Sequence, residues 1–165
     1  MLAIVIPFYK IEFFKSTLES LAAQSNTNFK VYIGDDCAAV SPSELIEEFK
    51  EKINIVYKRF NFNLGQTSLT KQWSRCIDLT GVEEFIMILG DDDVLSKNYV
   101  EEFYKAKKEL VNDNISVFRS ATQVISSEGN KLGGLRQNKV YEKSIDFFIR
   151  KLKGEARSSL SEYIF

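Results

Sequence analysis

The chain reads as an α/β protein with a mostly parallel central sheet and helices on both faces. Three observations carry that reading. Short apolar runs alternate with amphipathic stretches in the order β-α-β-α-β-α-β-α, and strands joined through helices form parallel sheets buried on both sides. The fourth run, Phe85–Leu89, is apolar throughout and bounded by Glu83-Glu84 and Gly90, as befits a strand covered on both faces. Two of the runs also end in carboxylates, Asp35-Asp36 and Asp91-Asp92-Asp93, at the strand ends where open α/β sheets hold ligands.

Taken in order, Leu2–Ile6 is a β-branched apolar strand that stops at Pro7. Ile11, Phe14, Leu18, Leu21 and Ala22 recur at helical spacing and predict a helix over Glu12–Gln24. Phe29–Gly34 is the second strand. Ser41-Pro42-Ser43-Glu44 combines a capping hydroxyl, a proline at the first helical position and an early acid. The helix that follows, Pro42–Lys52, turns Leu45, Ile46 and Phe49 inward. Ile53–Tyr57 is the third strand, and Asn61–Gly65 is a turn. A helix over Gln66–Leu79 carries Leu69, Trp73, Cys76 and Ile77 as its buried stripe. After Phe85–Leu89, a helix over Asn98–Val111 has Val100, Phe103, Tyr104, Ala106, the Lys107 stem and Leu110 on its inner face.

The pattern then changes. Ser116–Ser126 is strand-like, and Ser127–Asn130 is a hairpin turn leading to Lys131-Leu132. Gly133-Gly134 opens a polar loop to about Lys139. Tyr141–Lys153 contains one more helix, with Ile145, Phe148, Ile149 and Leu152 turned inward. The apolar Glu162–Phe165 end reads as an interruption within a larger domain. The expected organisation is a single domain over 1–165, with a ligand-binding βα core at 1–112 and the start of a second, incomplete region at 113–165.

Composition narrows the chemistry. The chain has no histidine, which excludes Ser-His and Cys-His catalysis and histidine-ligated zinc within it. Net charge is −1 with both signs interspersed, so no nucleic-acid footprint is present. Cys37 and Cys76 have no metal-like spacing and are too few for a disulfide scaffold, which fits a reducing, cytoplasmic setting. The opening apolar run lacks a basic leader and is too short for a signal or a membrane span.

Adjacent carboxylates repel unless something positive sits among them, and a divalent metal carrying phosphate oxygens is the simplest such object. The competing reading is a solvated acidic turn ahead of a helix capped by Ser96. Asp35, Asp36 and Asp91–Asp93 come from neighbouring strand ends and are expected to surround one cleft. A glycine-rich dinucleotide turn or phosphate loop is excluded, because Pro7-Phe8-Tyr9-Lys10 follows the first strand. A receiver domain would place its acidic pair after the first strand, not the second.

Five segments in register then resemble family 2 glycosyltransferases: Ile4–Tyr9, Leu18–Gln24, Val31–Asp36, Asn63-Leu64-Gly65 and Leu89–Asp93. The resemblance runs from Ile4 to about Phe103. It implies a GT-A fold, a nucleotide-diphospho-sugar domain truncated at its C-terminus. It implies that Pro7 and Tyr9 line a base pocket, that Asp36 binds the base edge and that Asp91 contacts the ribose. Gly65 belongs to the Asn-x-Gly turn of the donor site. Asp92, with Asp93 as partner or additional ligand, would hold Mg²⁺ or Mn²⁺ against the diphosphate. Departures are Lys10 for asparagine, Cys37-Ala38 for Gly-Ser, Gly90 for the first carboxylate of Asp-x-Asp, and Thr70-Lys71 for an arginine-asparagine pair. Lys71 is thereby the candidate cation near the phosphates, against the alternative of a lysine on a solvated helix face.

The function so implied is an inverting, metal-assisted hexosyl transfer from a nucleotide sugar, UDP-sugar foremost, to a saccharide or lipid-linked acceptor in bacterial polysaccharide synthesis. Its general base is expected beyond Phe165, leaving the isolated fragment weak or inactive, with peripheral association at the inner membrane face through regions outside it. The alternative is a non-catalytic nucleotide-sugar-binding module. A sugar-1-phosphate nucleotidylyltransferase would need a glycine-rich, arginine-bearing loop where Lys10-Ile11-Glu12 stands, and a metal-dependent hydrolase ranks below both.

Overall fold

A computed structural model of the chain describes residues 1–110 and 117–165. Its strands are β1 (Leu2–Phe8), β2 (Phe29–Asp35), β3 (Ile55–Arg59), β4 (Phe85–Ile88), β5 (Phe118–Arg119), β6 (Thr122–Ile125), β7 (Lys131–Arg136) and β8 (Tyr163–Ile164). Its helices are α1 (Phe14–Ala22), α2 (Ser43–Phe49), α3 (Leu69–Ile77), α4 (Tyr99–Leu110) and α5 (Ser144–Leu152). The predicted helix end at Val111, the Leu110 side chain, the strand start at Ser116 and the boundary near residue 112 lie outside what is described.

The main sheet has the order β3-β2-β1-β4-β8-β5. β1 through β4 are parallel, and β8 and β5 are antiparallel additions. β1 sits in the middle and alternates sides with a period of two. Leu2, Ile4, Ile6 and Phe8 pack with Phe14, Leu18 and Leu21 of α1, Ile46 and Phe49 of α2, and Val100 and Phe103 of α4. Ala3 and Val5 face the other way, onto Tyr32, Cys76 and the half-buried Ile77 of α3. Helices therefore cover both faces, as expected, but unevenly. The chain walks β1→β2→β3 outward with α1 and α2 on one face. It then reverses to put β4 on the far side of β1, and a right-handed crossover in the reversed direction puts α3 on the opposite face. Each large apolar side chain buried by α1 contributes about 1.5–3 kcal/mol.

That reversal creates the notch that matters. β1 pairs with β2 as far as Phe8↔Asp35, but with β4 only as far as Val5↔Ile88. Pro7 thus lies inside β1 rather than ending it. The Val5 carbonyl accepts from Leu89 N on the β4 side and the Phe8 carbonyl from Asp36 N on the β2 side. By alternation, Pro7 presents its missing N–H toward β4, past the end of that ladder, where no hydrogen bond is lost.

Other expectations are corrected. α3 begins at Leu69, after Ser68 in extended conformation accepts Lys71 N, and Leu69 is 54% exposed, not part of a buried stripe. The intervening turn consumes Gln66–Ser68, with Thr67 N and Ser68 N both bonded to the Leu64 carbonyl. Gly133 and Gly134 are in β7, paired antiparallel with β6, not in a loop. The terminal segment is β8, inserted between β4 and β5 with Phe165 and Ile86 exchanging backbone hydrogen bonds. Ile164 there joins the cluster in which Phe85, Phe103 and Phe118 meet edge to face. The apolar side of α5 faces outward, with Ile145, Phe148, Ile149 and Leu152 all exposed.

β2 and α3 approach each other closely at Gly34. A Cβ on Gly34 would fall well inside contact distance of the buried Cys76 sulfur and 3.0 Å from Phe60. Gly34→Ala is therefore expected to cost about 1–3 kcal/mol of stability, measured by denaturant unfolding. Cys76→Ala in the same chain should recover part of the loss, and full additivity of the two changes would contradict the packing argument.

Candidate functional site

A cavity of about 440 Å³ opens at the carboxyl ends of β1, β2 and β4, in the notch left by the shorter β4. Pro7, Phe8 and Tyr9 form one wall, Gly90 and Asp91 another, and Asp36 lies at the end of β2. Asn63, Gly65, Gln66, Leu69, Gln72, Trp73 and Leu160 complete it. Of the sequence-predicted site residues, Pro7, Tyr9, Asp36, Gly65 and Asp91 come together here. Lys71, Asp92 and Asp93 are exposed and do not form part of the cavity lining.

Asp36 is 3% exposed. Its Oδ1 accepts from Leu64 N at 2.7 Å and its Oδ2 from Gly65 N at 2.8 Å, so the Asn63–Gly65 turn wraps the carboxylate. Arg75 of α3 donates to Oδ1 as well. A Cβ on Gly65 would stand 2.5 Å from Oδ2, so the turn closes on Asp36 only with glycine there. Asn63 Oδ1 accepts Gln66 N at 2.9 Å and holds the turn from behind. An ionised carboxylate has about four acceptor positions. Three are taken, and one remains for a donor in the cavity.

Arg75 is the cation that sequence reasoning missed. It sits one turn beyond Lys71 on α3, its guanidinium 3.9 Å from the Phe60 ring centroid and 5.0 Å from that of Phe62, and it donates to the Phe62 carbonyl at 3.0 Å. The signal available was the aromatic pair Phe60 and Phe62 beside the turn, which planar guanidinium stacks on. Lys71 stays on the solvated face of α3. Trp73 was assigned to a buried stripe and is instead half-buried at the cavity.

Asp35, expected in the same cleft, points away from it. It is fully buried, with Oδ1 accepting from Ala38 N at 2.8 Å and Oδ2 from Tyr57 Oη at 2.8 Å and Arg59 Nη1 at 2.7 Å. It binds β2 to β3. Cys37, where the family has glycine, has φ +57°, in the left-handed region that a side chain adopts at a cost of about 1–2 kcal/mol. Asp35 and Asp36 both precede it and point to opposite sides, as consecutive residues of extended chain do.

Asp91 Oδ2 accepts from Tyr9 N at 2.7 Å and Lys10 N at 2.8 Å, while its carbonyl accepts from Thr17 Oγ1 at 3.1 Å. The β4 end therefore clamps the β1–α1 loop. Oδ1 has no partner among the described residues. Asp93 binds Ser161 Oγ, which in turn accepts from Gly90 N at 3.0 Å, so the single 3-10 turn Leu160–Glu162 closes the far side of the Asp91–Asp93 turn. Asp92 is exposed and its carboxylate accepts no hydrogen bond among the described residues. Glu162 is 3% exposed and bound by Arg119 Nε at 2.6 Å, which makes it a structural anion.

No cluster of three His, Cys, Asp or Glu side chains suited to a metal occurs among the described residues. The side chains placed for a divalent ion are those of Asp92 and Asp93. Such ions take one or two carboxylates and complete their shell with phosphate oxygens and water, and the uncommitted Asp92 together with Asp93 Oδ1 supplies that complement.

Two outcomes follow from this geometry. Arg75→Met removes one partner of a buried pair and is expected to lower unfolding free energy by about 3 kcal/mol, read by denaturant titration, and a loss near zero would contradict it. Burial holds the Asp91 carboxyl above its ordinary value of 3.8, against the lowering pull of the Lys10 and Tyr9 amides. A carboxyl with a raised folded pKa supports the fold most below its unfolded value, and that support falls as pH rises through the raised one. Asp91→Asn keeps an oxygen for the two amides but cannot ionise. Its melting temperature should gain on wild type from the ordinary aspartate range toward neutral pH, whereas a constant difference would refute the assignment.

The chain is similar to known proteins. The family model Glycosyl transferase family 2 matches residues 3–162. The poly(ribitol-phosphate) beta-N-acetylglucosaminyltransferase TarS of Staphylococcus aureus is 25% identical over 104 residues, which cover 61% of this chain and 18% of that one. An uncharacterized glycosyltransferase of Haemophilus influenzae is 28% identical over 157 residues, 82% of this chain and 51% of that one. The chain thus spans about half or less of these relatives. Among solved structures, S. aureus TarS 1-349 in complex with UDP-GlcNAc has a TM-score of 0.61 at 20% identity, covering 75% of this chain and 40% of that one, a likeness of fold.

Proposed function

The chain belongs to glycosyltransferase family 2, and on that footing we propose that its cavity binds the nucleotide-sugar donor of an inverting, metal-assisted transfer to a saccharide or lipid-linked acceptor. The observation that carries this reading is the convergence of Asp36 and Asp91 on one cavity, each with an acceptor position left over after its structural bonds are made. A nucleoside diphosphate offers donors for both. The uracil imide N–H suits the last acceptor position of the buried Asp36, and a ribose hydroxyl suits Asp91 Oδ1. Pro7, Phe8 and Tyr9 supply an apolar wall for the flat base. UDP-N-acetylglucosamine is the first donor to try, since TarS has been solved with it.

Asp92 and Asp93 would hold Mg²⁺ or Mn²⁺, which when bound neutralises charge on the departing diphosphate. The chain's own residues do the remaining work of binding. Asp36 fixes the base edge, the Asn63–Gly65 turn and Arg75 hold Asp36 in place, and Asp91 couples the ribose position to the β1–α1 loop. Arg75 is committed to Asp36 and is not assigned to the phosphates, whereas Lys71, exposed and outside the cavity lining like Asp92 and Asp93, stays the candidate cation for them. Glu162 is engaged by Arg119 and is not the general base.

The test is calorimetric titration of UDP and UDP-N-acetylglucosamine with and without Mn²⁺, using wild type, Asp36→Asn and Asp92→Ala. Wild type is expected to bind, Asp92→Ala to lose the metal-dependent part, and Asp36→Asn to weaken binding by about tenfold or more. Absence of binding by folded wild type to any nucleoside diphosphate would overturn the proposal. Binding without transfer by this chain fits both readings, and a transfer assay on the full-length protein separates the enzyme from the non-catalytic module.

A further inference from the structure

The Asp91–Asp93 turn is formed by one piece of chain and held by another. Ser161, 68 residues beyond Asp93, donates its hydroxyl to Asp93 Oδ2 and accepts Gly90 N at 3.0 Å. Asp93 N closes the same turn on the Gly90 carbonyl at 3.2 Å. One hydroxyl thus grips both ends of the turn, using its single O–H and one of its two lone pairs.

The space over Gly90 shows what that grip arranges. A Cβ there would stand 2.8 Å from Asp93 Oδ2 and 3.0 Å from Asp92 Oδ1, so both carboxylates bend back over the same point. Both side chains are exposed, and like charges so placed repel. An unrestrained aspartate is driven toward rotamers that part the two charges. The bond from Ser161 holds Asp93 against that drive.

Ser161 can do this because its own place is fixed. Glu162 beside it is 3% exposed, its carboxylate takes Arg119 Nε at 2.6 Å and its carbonyl takes Ser120 N at 2.8 Å. Phe165 and Ile86 exchange backbone hydrogen bonds, which ties the same segment to β4, the strand that leads into the aspartates. Leu160, on the other side of Ser161, lines the cavity.

We propose that Ser161 is a positioning residue for the divalent ion, holding Asp93 over Gly90 so that its Oδ1 and the Asp92 carboxylate are placed together before the ion arrives. This role rests on the reading of the cavity as the site of a nucleoside diphosphate bearing Mg²⁺ or Mn²⁺. Groups that hold metal-binding side chains in place are worth about 10–100-fold in metal affinity.

The experiment is calorimetric titration of UDP over a series of Mn²⁺ concentrations, using wild type, Ser161→Ala, Asp93→Ala and the double variant. Wild type should bind UDP more tightly when Mn²⁺ is present. Ser161→Ala should bind UDP alone as wild type does, yet need about tenfold more Mn²⁺ to reach half of the metal-dependent gain. In the Asp93→Ala background the serine change should add nothing, because the carboxylate it acts through is gone. A role in the fold alone would weaken UDP equally with and without Mn²⁺, and that result would overturn the proposal. So would additive effects of the two substitutions. Mn²⁺-dependent wild type with an unchanged Ser161→Ala overturns this role and leaves the donor site standing. Wild type whose UDP binding is absent or indifferent to Mn²⁺ overturns the metal reading and this role together.

Discussion

The buried Asp36 carboxylate is the constraint on which the site depends. It directly follows β2, just before the left-handed Cys37, and it would be costly to bury alone. Leu64 N, Gly65 N and Arg75 share its charge. The partners come from two other pieces of chain, the turn after β3 and the last turn of α3, brought to the end of β2. The carboxylate therefore organises the wall of the cavity as well as facing into it. Gly65 has no side chain because any Cβ would meet Oδ2, and Phe60 and Phe62 flank Arg75 so that its planar charge is fixed in direction.

A second carboxylate does the same at the other wall. Asp91 spends one oxygen on the amides of Tyr9 and Lys10, across the notch left where β4 stops short of β1. Burial pushes its carboxyl up, against the lowering pull of these two bonds. Both acids are thus half structural and half available, which is how one family signature can specify loop geometry and ligand contact together. The 3-10 turn at Leu160–Glu162 completes the enclosure through Ser161 and Asp93. In this way the last strand of the sheet is tied to the aspartate turn after β4.

The first four strands and helices were legible from periodicity, because each run is long enough to declare a buried face and is bounded by turn residues. What failed did so for identifiable reasons. Pro7 reads as a stop unless one knows that the neighbouring strand ends before it. Leu69 and Trp73 fit a buried stripe on spacing alone, yet Ser68 caps the helix late and turns them to the cavity. The α5 strip has the spacing of a core face and is exposed among the described residues. Asp35 and Asp36 are equivalent in sequence, and strand alternation sends them to opposite sides, but only the placement of β3 and the cavity shows which serves which.

By itself, the sequence determined the alternation of strands and helices, the family, and the two carboxylate-bearing strand ends, because these rest on local pattern and on motifs in register. Tertiary structure decided which carboxylate faces the cavity, which cation neutralises it, and that β8 joins the sheet beside β4. Those outcomes depend on distances between segments far apart in the chain: Asp36 to Arg75, Asp91 to Tyr9 and Ser161 to Asp93. No local pattern encodes whether a lysine at one turn of α3 or an arginine at the next reaches a buried acid. The helix's start and its close packing on Gly34 settle that, and both are set by the sheet beneath it.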